Sequence, residues 1–180
     1  MSITIEQVQS ADLDAARELL AEYMAWTTTV EGDAHDAPTF AGHAEELASL
    51  PGIYVLPKGR LLLARVDGKL AGCAAIKPHD DRVCELKRVY VRPEFRGLGL
   101  GVQLVRCALD DARSIGYERV VLDSHISMRG AHAIYRSFGF TIVEAPADFP
   151  ERFKPVVVFM ECDLTRATHQ PGQFAPRATP

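Results

Sequence analysis

The chain has 180 residues, 47% hydrophobic and 24% charged, which suits one globular domain that buries its core without disulfides or a structural metal. Its formal charge of −4, with Arg92, Arg96 and Arg106 scattered rather than gathered on one face, speaks against nucleic acid as a partner. Met1 to Val8 lacks the basic and apolar segments of a signal peptide, and no run reaches the roughly 20 apolar residues that cross a bilayer; a cytoplasmic protein with no membrane partner is expected.

Ile3 to Val8 alternates as a strand. Ser10 or Asp12 then caps a helix from about Leu13, whose apolar stripe is Leu13, Ala16, Leu20, Tyr23 and Met24. Thr27 to Pro38 reads as a loop, and Phe40 to Leu50 as a second helix ended by Pro51-Gly52. Arg60 to Val66 and Lys69 to Ile76 flank Asp67-Gly68, a hairpin signal because Asp-Gly suits a tight turn at positive φ. Val83 to Val91 is the next strand. Within it Lys87 and Arg88 break the alternation, which fits either a distorted strand or a charged edge strand.

A glycine-rich loop follows Pro93, then a helix from Leu100 to Ser114 stopped by Gly116, with Leu100, Leu104, Val105, Ala108, Leu109 and Ala112 on its buried side. Arg119 to Asp123 is a nearly all-apolar strand, the pattern of one covered on both faces. Met128 to Phe138 is a helix stopped by Gly139, and Phe140 to Glu144 and Val156 to Leu164 are closing strands. Residues 1–165 form one domain, and the Pro-, Ala- and Thr-rich stretch 166–180 is expected to be a flexible tail. Cys73, Cys84, Cys107 and Cys162 form no C-x-x-C pair, and His125 and His132 lack zinc-ligand spacing, so no metal is expected.

The segment with chemical content is Arg96-Gly97-Leu98-Gly99-Leu100-Gly101, where a strand hands over to a helix. Residues without Cβ let a ligand approach the backbone, and the first N–H groups of a helix have no internal partner and carry the positive end of its dipole. A diphosphate suits that place; the competing reading is a turn whose glycines serve only tight packing. No Lys-Ser or Lys-Thr follows, as a Walker A loop needs, and Val102 stands where the dinucleotide fingerprint has its third glycine.

Glu85 through Arg96-Gly97-x-Gly99-x-Gly101 resembles the central motif of the GNAT superfamily of acyl-CoA-dependent N-acyltransferases. Ala131-His132-Ala133-Ile134-Tyr135-Arg136-Ser137-Phe138-Gly139-Phe140 resembles its second motif. The resemblance implies an α/β fold: a mixed, mostly antiparallel sheet with a central splayed parallel strand pair and helices on both faces. It implies acetyl-CoA as co-substrate and direct attack by an amine in a ternary complex. Backbone groups of Val89, Tyr90 and Val91 would meet the pantetheine arm, and the amides of Arg96, Gly97, Leu98, Gly99, Leu100 and Gly101 the pyrophosphate, with the Val91 N–H polarising the thioester carbonyl. Tyr135 would be the general acid that protonates the departing thiolate, the alternative being a core side chain. Glu85 would be the general base, the alternative being a pairing with Lys87 or Arg88.

Many relatives contact the coenzyme through an asparagine seven residues before the tyrosine. Here Met128 stands there and the chain has no asparagine, which leaves Ser124, Ser127 or the backbone to replace it. The resemblance makes Tyr23, Trp26, Thr27, Thr28, Glu31, Asp33, Asp36, Tyr54, Phe149, Arg152 and Phe153 the candidates for acceptor recognition, with Tyr23 and Trp26 equally readable as a core stripe of the first helix. Glu31, Asp33 and Asp36 would either attract a cationic amine or form a solvated acidic loop. The acceptor would be a small amine or a peptide and the protein a monomer or homodimer. A non-catalytic acyl-CoA-binding or sensing module and an O-acyltransferase are the alternatives.

Overall fold

The structure is a computed structural model that describes residues 1–31 and 42–166. Asp33 and Asp36 of the acidic loop, the second helix's expected start at Phe40 and positions 167–180 of the expected tail lie outside the described residues.

Among the described residues seven strands form one sheet in the order β1-β2-β3-β4-β5-β7-β6. They are β1 (Ile3–Gln7), β2 (Arg60–Val66), β3 (Lys69–Pro78), β4 (Val83–Val91), β5 (Arg119–His125), β6 (Thr141–Val143) and β7 (Val157–Asp163). Every pairing is antiparallel except β4 with β5. Asp67 and Gly68 join β2 to β3 at φ 46° and 78°, the paired positive values that suit the right-handed strand twist. The fold is therefore mixed α/β, mostly antiparallel, with one central parallel pair.

Helices α1 (Leu13–Glu31) and α2 (His43–Ser49) cover one face; α3 (Leu100–Ile115) and α4 (Arg129–Ser137) cover the other. The α3 stripe is buried as its periodicity predicts, from Leu100 to Ala112. Along α1 the sequence reading needs correction, because the helix runs through Thr27 to Glu31, where a loop was expected. The hydroxyls of Thr27, Thr28 and Thr29 donate to the carbonyls of Met24, Ala25 and Trp26 at 2.8, 2.6 and 2.7 Å. Polar groups satisfied on the helix itself do not end it, and Thr27 continues the buried stripe of Ala16, Leu19, Leu20 and Met24.

Two irregularities in β4 make the site. Only Val83, Cys84 and Glu85 pair with β5, opposite Arg119, Val120 and Val121; beyond them the two strands part. On the other edge Cys73 faces Tyr90 but Ala75 faces Lys87, so β4 carries one extra residue, and Arg88 sits at φ 57°. This is a bulge in a central strand, the distorted-strand alternative left open by Lys87 and Arg88. It reverses the side-chain phase. Cys84 and Leu86 join the α3 side, whereas beyond the bulge Val89 and Val91 pack there and Tyr90 turns to α1.

Candidate active site

Where β4 and β5 separate, a cavity of about 610 Å³ opens. Its walls are β4 from Leu86 to Val91, the glycine loop, β5 from Asp123 to His125, the turn and helix from Ser127 to Tyr135, and Tyr23 and Trp26 of α1.

One wall is largely backbone. Gly97 and Gly99 have φ of 81° and 72°, a region that side-chain-bearing residues rarely adopt, and no heavy atom beyond their chain neighbours lies within 4 Å of where a Cβ would sit. The glycines therefore serve conformation and open approach, not tight packing. Gly99 precedes α3 as its N-cap and, among the described residues, no side chain caps the first-turn amides. The N–H groups of Gly97, Leu98, Gly99, Leu100 and Gly101 take no hydrogen-bond partner among the described residues. The Arg96 N–H does, bonding the Pro93 carbonyl at 3.2 Å. Its guanidinium Nε donates to the Val91 carbonyl at 3.1 Å and the group lies 5.2 Å from the Trp26 ring centre. Leu98 has its side chain 39% exposed and away from the cavity wall.

Because the Arg92 N–H bonds Ala71 of β3 at 2.9 Å, strand alternation turns the Val91 N–H toward the gap left by β5. Across the gap the Ser127 hydroxyl lies 2.7 Å from His125 Nδ1, which also accepts the Ser127 N–H at 3.3 Å. That acceptor role puts the imidazole proton on Nε2, and burial lowers the His125 pKa, which favours the neutral ring. Met128 also lines the cavity; Ser124 does so from β5. A diphosphate and an extended amide-bearing arm fit this set of donors.

The other wall is made by side chains. Tyr135 reaches the cavity although only 7% exposed, its ring 5.7 Å from that of Phe140, and burial pushes its phenol well above the usual value. Tyr23, Trp26 and Tyr90 form a ring cluster with centroids 5.9 to 6.4 Å apart. Arg88, 5% exposed, donates from Nε to Glu46 of α2 at 2.9 Å and from Nη2 to its other oxygen at 2.5 Å. Burial alone would raise the Glu46 pKa, but the Arg88 hydrogen bonds and charge outweigh it and hold the carboxyl below its ordinary range.

Thr27, Thr28, Tyr54, Glu85, Phe149, Arg152 and Phe153, all expected at the site, lie off the cavity wall. Tyr54 is fully buried beneath α1, its hydroxyl donating to Glu46 at 2.7 Å, so it braces the Arg88 pair from behind the wall. Phe153 packs with Phe149 and Val157 in a separate cluster, with Arg152 over its ring at 4.5 Å. Thr27 is buried in the helix. Glu85 sits one residue outside the wall, which begins at Leu86, and pairs with Lys87 at 2.8 Å and Lys77 at 3.5 Å. Burial raises the Glu85 pKa and the two lysines, Lys87 foremost, reverse that to a net lowering.

Asp123 was missed. It lines the cavity from β5, and burial pushes its carboxyl up to about 6. The available signal was a lone charge ending Val120-Val121-Leu122, on a strand whose composition implies cover on both faces.

The sequence pattern of the acetyltransferase (GNAT) family matches residues 14–140. An uncharacterised N-acetyltransferase of Schizosaccharomyces pombe is 38% identical over 130 residues, which is 71% of this chain and 78% of that protein. YncA of Salmonella typhimurium, solved with acetyl-CoA, aligns with a TM-score of 0.66 at 22% identity, over 99% of this chain and all of its own. The PaiA N-acetyltransferase of Thermoplasma acidophilum, solved with coenzyme A, gives 0.68 at 20% identity, over 91% of this chain and 99% of its own. A splayed parallel pair, an uncapped glycine-led helix and a family pattern that spans most of the chain agree, and the chain belongs to the GNAT family of acetyltransferases.

Proposed function

We propose that the protein transfers the acetyl group of acetyl-CoA to an amine by direct attack in a ternary complex. The observation that carries this is the row of unpartnered amides from Gly97 to Gly101 opening onto the same cavity as Tyr135. Acetyl-CoA and coenzyme A in the two structural neighbours support the choice of co-substrate.

The loop amides hold the diphosphate. Backbone groups of Val89, Tyr90 and Val91 meet the pantetheine arm in the place an adjoining strand would take, and the Ser127 hydroxyl, oriented by His125, supplies the polar contact that an asparagine gives in many relatives. The co-substrate brings an activated acetyl as a thioester. The Val91 N–H stabilises charge that develops on its carbonyl oxygen. Tyr135, kept protonated by burial, gives its proton to the leaving sulfur. Tyr23 and Trp26 border the side from which a small amine or peptide enters. No covalent acyl-enzyme is required, and a cytoplasmic site of action suits the buried thiols of Cys73, Cys84 and Cys162. Among the described residues no helix is long and apolar enough to cross a membrane.

The test is free-thiol release from acetyl-CoA in the presence of L-amino acids, polyamines, short peptides with free N-termini and matched alcohols. Amine-dependent release is expected. Saturable coenzyme binding without release from any of them points to a sensing module, and release with alcohols alone to an O-acyltransferase.

A further inference from the structure

We infer that Asp123 on β5, rather than Glu85 on β4, is the carboxylate that receives the proton of a cationic amine acceptor. The inference rests on the acetyl-transfer reading above.

The argument begins with strand geometry. Val121, opposite Glu85, is the last β5 residue paired with β4, so Asp123 lies two residues into the opening. Val120 and Leu122 belong to the α3-side core. Alternation then turns Asp123 to the α1–α2 side, the side of Glu85, Lys87 and Arg88, where an acceptor has access. Glu85 is outside the cavity wall and its two oxygens are engaged by Lys87 and Lys77. Asp123 is on the wall and makes no ion pair among the described residues.

The groups that act on Asp123 are Glu85, Lys87 and Arg88 from β4 and Tyr135 from α4; its register partner on β7 is the apolar Phe159. Burial is the largest influence and raises the Asp123 pKa. Lys87 and Arg88 oppose it, and Glu85, within hydrogen-bonding reach, adds to it. With Glu85 held ionised by its lysines, a proton shared between the two carboxyls resides on Asp123. A carboxylate that binds a proton with a pKa of about 6 is a stronger base than an ordinary one, yet ionised at neutral pH. An alkylammonium, with a pKa of about 10.4, has no lone pair to attack with until a proton leaves, and such a base is placed to take it.

The balance is complete. An ammonium N–H bond breaks and its proton goes to an Asp123 oxygen. The freed lone pair forms the C–N bond to the acetyl carbon as the C–S bond breaks. Tyr135 gives its proton to sulfur, and the second proton lost from nitrogen restores the phenol. Asp123 then returns its proton to solvent.

The test uses Asp123→Asn and Glu85→Gln in the full chain, with acetyl-CoA and whichever amines the wild type acetylates. Asp123→Asn is expected to lose roughly 100-fold or more in kcat/KM with coenzyme affinity unchanged. The wild-type profile should rise through about pH 6 and lose that limb in Asp123→Asn. In Glu85→Gln the limb should persist and move to lower pH, because a negative charge that raises the Asp123 pKa has gone. Carbon-13 titration of the Asp123 carboxyl gives an acceptor-independent reading: a midpoint near 6 supports the inference and one below 4 overturns it. A raised native pKa also means the ionised form opposes folding, so Asp123→Asn should be the more stable protein above about pH 6. That gain should vanish below the unfolded aspartate value of about 3.9. Wild-type rates in Asp123→Asn, or a limb that disappears only with Glu85→Gln, overturn the inference and leave acetyl transfer standing. Coenzyme binding with no thiol release from any amine overturns the transfer reading and this inference with it.

Discussion

The two sides of the cleft are built from different materials. The proposed coenzyme side consists mainly of main-chain N–H groups on a loop, where Gly97 and Gly99 let the chain turn and stay open and Gly101 packs closely against Ile134. The proposed acceptor side consists of Arg88, Asp123, Tyr23, Trp26 and Tyr135, side chains brought together from four elements of the fold. A backbone site depends on local conformation and tolerates change in nearby side chains. A side-chain site depends on strand register and on buried charges that must stay paired. The two sides should consequently break in different ways.

The largest expected effect is on the side-chain wall. Glu46→Ala strands Arg88 as a buried charge without its carboxylate, and losing one partner of such a pair costs about 3–5 kcal/mol. Chemical denaturation should show that loss, with Tyr54 also left without its acceptor. The same pair gives an acid signature. Glu46 is held below its ordinary range, so its contribution is complete above the unfolded carboxylate value and is lost as pH falls through the lowered one. Stability equal to wild type in Glu46→Ala would mean that the side-chain wall does not rely on this pair.

Next comes Tyr135→Phe, which keeps the packing against Phe140 and removes only the phenol oxygen. Turnover should fall roughly 100-fold while coenzyme affinity is unchanged, measured by single-turnover kinetics beside a binding titration. Unchanged turnover where chemistry limits the rate would make Tyr135 a core side chain. On the backbone wall the effects are smaller. Gly99→Val forces a β-branched residue into a left-handed conformation at φ 72° and should weaken coenzyme A about tenfold. Leu98→Ala, whose side chain points away from the cavity, should leave coenzyme affinity unchanged.

The same contrast explains what the sequence disclosed. The glycine loop, the α3 stripe, the Asp67-Gly68 hairpin and the β4 limits are short-range patterns, each decided by residues a few positions apart. The side-chain wall is long-range. Nothing near Tyr54 signals that its hydroxyl braces Glu46, forty-two residues before Arg88. Glu85 carried the motif's position, but Lys77 reaches it from the neighbouring strand. Asp123 becomes notable only once β5 is seen to leave β4 just before it. The α1 extension was hidden because three successive threonines imply a loop unless their hydroxyls find carbonyls one turn back.

The most direct measurement of the proposed diphosphate site is an amide NMR titration with coenzyme A, set against adenosine, which lacks the diphosphate. The N–H signals of Gly97 through Gly101 should shift saturably with coenzyme A and stay in place with adenosine. Saturation by coenzyme A with those five amides unmoved would contradict the account at its base.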